Sequence, residues 1–227
     1  TLGVVRHKVS SFELTDLSLI RYMASKGKPI ILSTGMATRE EIDAACDACW
    51  DGMSPQSITI LKCTSAYPAD ASQANLAAMR GWFRWGLSDH TPGIGVACAA
   101  TALGATMLEK HLTLRRSDGG LDAGFSMEPE EFKQMVVECR RAAAAIGEVK
   151  FGPGDSEDTS LRRSWWAIKH IHPGDALVDG VNVATARPAI GLAPSVDIRR
   201  LTAAAHIPAY SPIKTGDVWQ TPREALL

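Results

Sequence analysis

The sequence is short of net charge: 24 Lys and Arg stand against 25 Asp and Glu, leaving −1 over 227 residues. No global basic surplus offers itself to nucleic acid or to an anionic bilayer, so neither is expected as a partner, and small molecules are the expected ligands. A long apolar run is missing too. The Ala-, Gly- and Thr-rich stretch from Gly95 to Leu108 is shorter than the roughly 20 residues that cross a bilayer, and it reads as a buried helix running into a strand. No signal-peptide pattern opens the chain, and no G-x-G-x-x-G follows a strand, which removes the main support for a dinucleotide fold. Cysteine is sparse and odd in number. Cys46, Cys49, Cys63, Cys98 and Cys139 are scattered through apolar patterns, which favours a reducing cytoplasm over a disulfide framework. The pair Cys46/Cys49 has C-x-x-C spacing but no second pair, and the capping box Thr38-Arg-Glu-Glu41 before it places both thiols inside a helix. An initiator Met is also missing. The chain starts abruptly at Thr1, which reads as a fragment.

What is present is 45% apolar residues, enough for a core in one large or two small domains. Short apolar runs alternate with helical segments, the pattern of parallel βα units. The runs are Lys8–Glu13, Pro29–Gly35, Ser57–Ser65, Trp85–His90 and Thr106–Leu112; helices are expected over Asp16–Lys26, from the capping box to Trp50, over Gly95–Leu103, and from Pro129 to Gly147. Five such units fit an open doubly wound sheet or part of a (β/α)₈ barrel. Polar side chains gather at the strand C-terminal ends, where barrel active sites form, and this favours the barrel. Three further strands would precede Thr1. The fold class expected is α/β, a partial (β/α)₈ TIM barrel over residues 1–148, a Gly- and acid-rich linker over 149–161, and a small β-rich domain over 162–227.

Two histidines, His90 and His111, end consecutive expected strands and are neighbours on one face. Such a pair can ligate a divalent metal through imidazole nitrogen, or each can be a hydrogen-bonded structural residue. Asp89 and Glu109 lie beside them as candidate supporting carboxylates. Around them the strand ends supply Lys8, Ser11, Ser33, Thr34, Lys62, Ser88 and Lys110. Ammonium groups and hydroxyls together suit a ligand carrying carboxylate or phosphate. Glu13, read as following an alternating strand, would point into the same mouth as a general acid or base; the alternative is a carboxylate stabilising the next helix. Asp122, in the glycine-bearing loop after the last strand, is a further functional candidate.

Several segments together resemble the sialic acid synthase family, most of all its pseudaminic acid synthase branch. They are Lys8-Val-Ser-Ser-Phe-Glu-Leu-Thr-Asp16, Gly27-Lys-Pro-Ile-Ile-Leu-Ser-Thr-Gly-Met36, Leu61-Lys-Cys-Thr-Ser-Ala-Tyr-Pro68, Gly86-Leu-Ser-Asp-His-Thr91 and Leu108-Glu-Lys-His-Leu-Thr113. The resemblance implies a (β/α)₈ barrel joined to an antifreeze-protein-like (SAF) domain in a domain-exchanged homodimer located in the cytoplasm. It implies condensation of phosphoenolpyruvate with an amino-sugar aldehyde, for this branch a 2,4-diacetamido-2,4,6-trideoxyhexose, giving a nine-carbon nonulosonic acid and phosphate. A divalent metal is implied, Mn²⁺ first, with Mg²⁺ or Co²⁺ as alternatives. Matched by motif, His90 and His111 fall on metal ligands, and Lys8, Ser11, Ser33, Ser65, Tyr67 and Ser88 on positions that hold phosphoenolpyruvate. Glu13 and Asp122 fall on the sugar side as catalytic groups. Arg187 falls on the arginine that the small domain extends into the partner's barrel.

Two departures stand out. Ala189 replaces the glycine of the family's Arg-Pro-Gly, and the segment His206–Gly216 lacks the basic turn expected there. Competing readings are a legionaminic or N-acetylneuraminic acid synthase, a related aldol-type barrel enzyme making another keto-sugar acid, and a non-catalytic carbohydrate-binding fragment.

Overall fold

A computed structural model describes residues 3–50, 54, 57–82 and 84–220. The chain divides into two units, Thr1–Glu148 and Val149–Leu227.

The first unit is a parallel sheet with helices on one side. Strands β1 (His7–Val9), β2 (Ile30–Ser33), β3 (Ile58–Cys63), β4 (Trp85–Asp89) and β5 (Leu108–Lys110) pair in sequence order, all parallel. Alternation sets the two faces. Val9, Ile30, Leu32, Ile58, Ile60, Trp85 and Leu87 pack against Ile20 and Ala24 of α1 (Leu17–Ala24) and Ala45 and Cys49 of α2 (Arg39–Trp50). The intervening residues, Ser33, Leu61, Cys63 and Ser88 among them, face the other side and are buried as well. Strands covered on both faces read as nearly continuous apolar runs, which is how they stand in the sequence.

Local signals start and stop the helices. Asp16 accepts from the Leu19 amide to open α1, and the Thr38/Glu41 box opens α2 with both of its bonds in place. Cys46 and Cys49 are buried on that helix, as expected of packing thiols. Helix α3 (Gly95–Ala102) is made of small residues and lets α4 (Pro129–Ile146) pack closely on it. Between β3 and β4 the connection is two short 3-10 turns, Ala71–Gln73 and Leu76–Met79, instead of an α-helix.

The sheet curls. In a flat sheet, four strand spacings of about 4.8 Å would separate β1 from β5 by roughly 19 Å, yet Lys8 on β1 and Glu109 on β5 form an ion pair at 3.4 Å. Only curvature toward the non-helical face brings those side chains together. The five strands therefore form a curled half-barrel with a polar mouth at their C-terminal ends.

One expected element differs. The first strand stops at Val9, and Ser11–Glu13 is a 3-10 turn, because the chain must reverse at once to start α1; the Asp16 amide closes the turn on the Glu13 carbonyl at 2.9 Å. Glu13 is exposed and accepts a hydrogen bond from the Ser10 hydroxyl. Strand alternation therefore does not orient it.

The second unit is built on two antiparallel pairs, β6 (Ser164–Ala167) with β7 (Val183–Ala186) and β8 (Leu201–Ala203) with β9 (Val218–Gln220). Its core gathers Trp165, Ile171, Leu177, Val183, Ile198, Leu201, Ile207 and Ile213. Gly191 is required there, since a Cβ would lie 2.8 Å from the backbone carbonyl oxygens of both Trp165 and Ile213. The 3-10 turn Thr159–Leu161, within the expected linker, docks on this unit through a hydrogen bond from the Ala189 amide to the Ser160 carbonyl.

Candidate active site

The site is built rung by rung across β4 and β5. Ser88 stands opposite Glu109 and Asp89 opposite Lys110, and the next pair along, one residue beyond each strand, is His90 and His111. On the mouth side Ser88 Oγ donates to Glu109 Oε1 at 2.7 Å, and the same oxygen pairs with Lys8. The imidazole centroids of His90 and His111 are 5.2 Å apart. Tyr67, from the loop after β3, tilts against His90 at 4.3 Å and meets His111 edge-on at 5.9 Å, and Phe125 closes the ring cluster at 5.0 Å from His111.

His90 is held in one tautomer. Its Nδ1 lies 2.9 Å from the Thr64 carbonyl, and a carbonyl only accepts, so Nδ1 carries the proton and Nε2 keeps a lone pair. His111 turns Nδ1 toward the Asp122 carboxylate at 3.7 Å, too long for a direct hydrogen bond but close enough for charge to act. An imidazole anchored through one nitrogen and free at the other is the form that binds a metal. Two imidazoles so disposed would suit a divalent cation. Among the described residues no group of three or more His, Cys, Asp or Glu side chains converges to hold a metal ion.

A second cluster is made of hydroxyls. Gly35, at φ +47°, is where the backbone passes between Ser11 and Ser65: a Cβ there would overlap Ser11 Cβ and lie 2.6 Å from Ser11 Oγ and 2.7 Å from Ser65 Oγ. Glycine keeps that space open. The Ser33 hydroxyl, one strand position before the turn, is buried with no hydrogen-bond partner among the described residues. A buried orphan donor in a polar mouth is an invitation to an anionic ligand.

Cys63 links the two clusters. Its Sγ is 4.0 Å from His90 Nδ1 and 3.9 Å from Ser65 Oγ. Burial disfavours the thiolate, but His90 and the hydroxyls of Ser11 and Ser65 outweigh it and bring the thiol down to about 7. For His90 burial works against the cation, while Cys63 and the Thr64 carbonyl raise its pKa overall.

Tyr67, His90, His111, Asp122, Ser11 and Ser65 thus connect through direct contacts or through Gly35 and Cys63, while Lys8 and Ser88 meet on Glu109. Glu13 shares its exposed turn with Ser11 and is held by the Ser10 hydroxyl. Lys110 does not face the mouth: its Nζ bonds Asp89 Oδ2 at 2.7 Å on the helix side of the sheet. Asp89, expected to support the histidine rings by hydrogen bonds or by its charge, spends its hydrogen bonds on Lys110 and Thr91, while its charge contributes to raising the His90 pKa. Lys62 spends its ammonium on the Cys63 carbonyl at 2.9 Å, and burial lowers its pKa; Thr34 accepts from the Cys63 amide. Arg187 is exposed just after β7 in the second unit. Sequence reasoning missed Gly35, Cys63 and Phe125. The Ser-Thr-Gly turn was a usable signal for the first, whereas Phe125 reaches the site only through tertiary folding.

The model of the NeuB family matches residues 1–151. The chain belongs to the NeuB family. The NeuB match contains every site residue of the sheet unit and leaves Arg187 outside it. Among curated NeuB-like relatives, the N,N'-diacetyllegionaminic acid synthase of Campylobacter jejuni is 40% identical over 200 residues, 84% of this chain and 60% of that protein. The pseudaminic acid synthase of Helicobacter pylori is 37% identical over 228 residues, 96% of this chain and 66% of that protein. The chain spans less than two thirds of the length of either. Among solved structures, the N-acetylneuraminic acid synthetase of Leptospira borgpetersenii is similar with a TM-score of 0.62 and 33% identity, over 68% of this chain and 55% of that one. Among the described residues of this NeuB chain, no helix is long and apolar enough to cross a membrane.

Proposed function

We propose that this chain is the larger part of a nonulosonic acid synthase that condenses phosphoenolpyruvate with an open-chain 2,4-diacetamido-2,4,6-trideoxyhexose to give pseudaminic acid and phosphate. The observation that carries the reading is the meeting, in one mouth, of two imidazoles and an anion-holding set that includes Lys8 and the orphan Ser33 hydroxyl. Strand edges at β1 and β5, each paired on one side only among the described residues, support closure to a (β/α)₈ barrel by three further strands. The second unit fills the role of the antifreeze-protein-like domain. Its exposed Arg187 reaches the mouth of a partner in a domain-exchanged homodimer, and five free thiols suit the cytoplasm.

His90 and His111 hold the divalent ion, Mn²⁺ in preference to Mg²⁺ or Co²⁺ since imidazole joins oxygen ligands there. Bound there, the ion supplies Lewis-acid polarisation of the sugar aldehyde. Lys8 and the hydroxyls of Ser11, Ser33, Ser65 and Ser88 hold the carboxylate and phosphate of phosphoenolpyruvate, with Tyr67 against its face. They orient its methylene carbon toward the aldehyde carbon, and orientation is most of what the chain must provide. The new C–C bond leaves a cation at the phosphate-bearing carbon. Water captures it, and the tetrahedral adduct expels phosphate. Asp122, beside His111, and Glu13, now held by Ser10, handle the protons of the sugar and the attacking water.

The test is phosphate release by the full-length protein with phosphoenolpyruvate, Mn²⁺ and the diacetamido sugar. Phosphate equimolar with a nine-carbon acid is expected, and a product of another carbon number would overturn the branch. Sugar binding without phosphate release would establish the non-catalytic carbohydrate-binding reading instead. The 40% identity to a legionaminic acid synthase favours one second reading, in which the isomeric legionaminic precursor gives the higher kcat/KM.

A further inference from the structure

The buried ion pair between Asp89 and Lys110 lies outside the chemistry described above. We propose that it is a positioning device that sets the separation and aim of His90 and His111. The inference rests on the reading of those histidines as metal ligands.

Two rungs join β4 to the mouth edge of β5, Ser88 with Glu109 and Asp89 with Lys110, and the next residues along, His90 and His111, stand in place of a third, their ring centroids 5.2 Å apart. Strand alternation puts the first and third rungs in the mouth and the second on the helix side. There the two charged side chains are only 2% and 3% exposed and meet at 2.7 Å. Lys110 also donates to the Thr91 carbonyl at 2.5 Å. Asp89 Oδ1 accepts from the Thr91 amide at 2.9 Å and from its hydroxyl at 2.7 Å. The residue next to His111 therefore grips both residues that flank His90. Strand β5 is three residues long and, among the described residues, pairs with β4 alone, so few other bonds fix the end of one strand against the other.

An ion pair is a poor choice for stability alone, because desolvation cancels most of its attraction and apolar side chains of like volume do as well or better. Its hydrogen bonds are directional, and apolar contact is not. That difference separates a positioning role from a packing role.

The test uses full-length protein and Mn²⁺ as the probe, with free Mn²⁺ read by electron paramagnetic resonance and folding by urea titration. D89L/K110M is expected to have a lowered urea midpoint, because buried Thr91 loses the partners of its amide, hydroxyl and carbonyl, and, under conditions where it is folded, to bind Mn²⁺ about 10- to 100-fold more weakly, the usual loss when the residues that orient a metal ligand are removed. K110R, which keeps donors for both acceptors, is expected to retain most of the affinity. Wild-type Mn²⁺ affinity in folded D89L/K110M would overturn the proposal. Should that variant fail to fold, the isosteric D89N carries the test: it keeps an acceptor for Thr91 and releases Lys110. Folded D89N with unchanged affinity overturns the positioning role equally. Wild-type protein that binds no Mn²⁺, or binds it equally well as H90A, fails at the metal reading instead, so the two failures are distinct.

Discussion

The two units differ in how many buried polar side chains they carry and in where those side chains stand. In the first, Ser33, Thr34, Thr59, Ser88, Asp89, His90, Thr91 and Ser126 are buried, most of them at strand C-terminal ends; in the second, Ser164 is the only one among the described residues. Ser164 is fully satisfied. It donates to the Pro188 carbonyl at 2.7 Å and accepts from the Trp166 indole at 3.0 Å. Ser33 has no partner. Burying a polar group without a bond costs about 1–3 kcal/mol, so the first unit holds groups that its own fold does not use. The second unit holds Ser164, which its fold does use by bonding the carbonyl of the residue after Arg187, and a buried Trp165 indole N–H that has no partner among the described residues.

The largest break in this comparison comes from the imidazoles. In the full-length protein, His111→Ala is expected to lower metal-dependent phosphate release by about 10³-fold or more, the scale of losing charge stabilisation at a reacting centre, with the urea midpoint little changed because the ring is partly exposed. Retained activity would remove His111 from the site. Next comes Gly35→Ala. A Cβ at positive φ, wedged between Ser11 and Ser65, is expected to cost about 3 kcal/mol in strain and overpacking and to raise KM for phosphoenolpyruvate at least about tenfold. An alanine variant with wild-type KM would show that the two hydroxyls do not share one ligand.

These sites differ in how far the sequence reveals them. The period-two pattern of Ile30/Leu32, Ile58/Ile60 and Trp85/Leu87 places three of the five strands and their helical face, and with them the edge where His90 emerges. The same period decides Lys110: a residue adjacent to His111 on one strand points to the opposite face, so a reading that put both in the mouth neglected alternation. Glu13 was hidden for another reason. Its run looks apolar enough for a strand, but the approach of the Asp16 cap forces a 3-10 turn, and such tertiary timing leaves no periodic mark. Gly35 and Phe125 matter through contacts with residues distant in the chain, Ser65 and His111, which only the curled sheet brings near.

A paired substitution sharpens the contrast between units. Ser33→Ala removes a hydroxyl that nothing satisfies, so stability is expected to stay level or rise by up to about 1 kcal/mol while KM for phosphoenolpyruvate rises about tenfold. Ser164→Ala removes two bonds and is expected to cost about 1–3 kcal/mol in stability, with KM following only as far as Arg187 is displaced. Urea titration and steady-state kinetics on the same samples decide the matter. If Ser33→Ala destabilised as much as Ser164→Ala, its hydroxyl would be structural and the distinction between the units would fail there.

The smallest effect concerns thiols, and it compares two parts of the first unit. Burial pushes Cys46 up to about 12, with Cys49 and the carboxylates of Asp43 and Asp47 adding to it, and pushes Cys49 up to about 11; Cys63, in the mouth, is near 7. A thiol whose folded pKa lies above its unfolded value of 9.0 keeps its proton in the folded state when the unfolded chain has released it. The folded state then binds more protons, and stability falls as pH rises above about 9. The contribution is complete below that pH and is lost progressively toward the folded values. At pH 10 this amounts to about 1 kcal/mol for each thiol. The expected outcome is a urea midpoint that drops more between pH 8 and pH 10 in the wild type than in Cys46→Ala/Cys49→Ala, where this component is gone. Equal drops would mean that water reaches these thiols and that the helix-facing side of the sheet is less dry than the packing of Ala45, Ala48 and Ile60 around α2 requires.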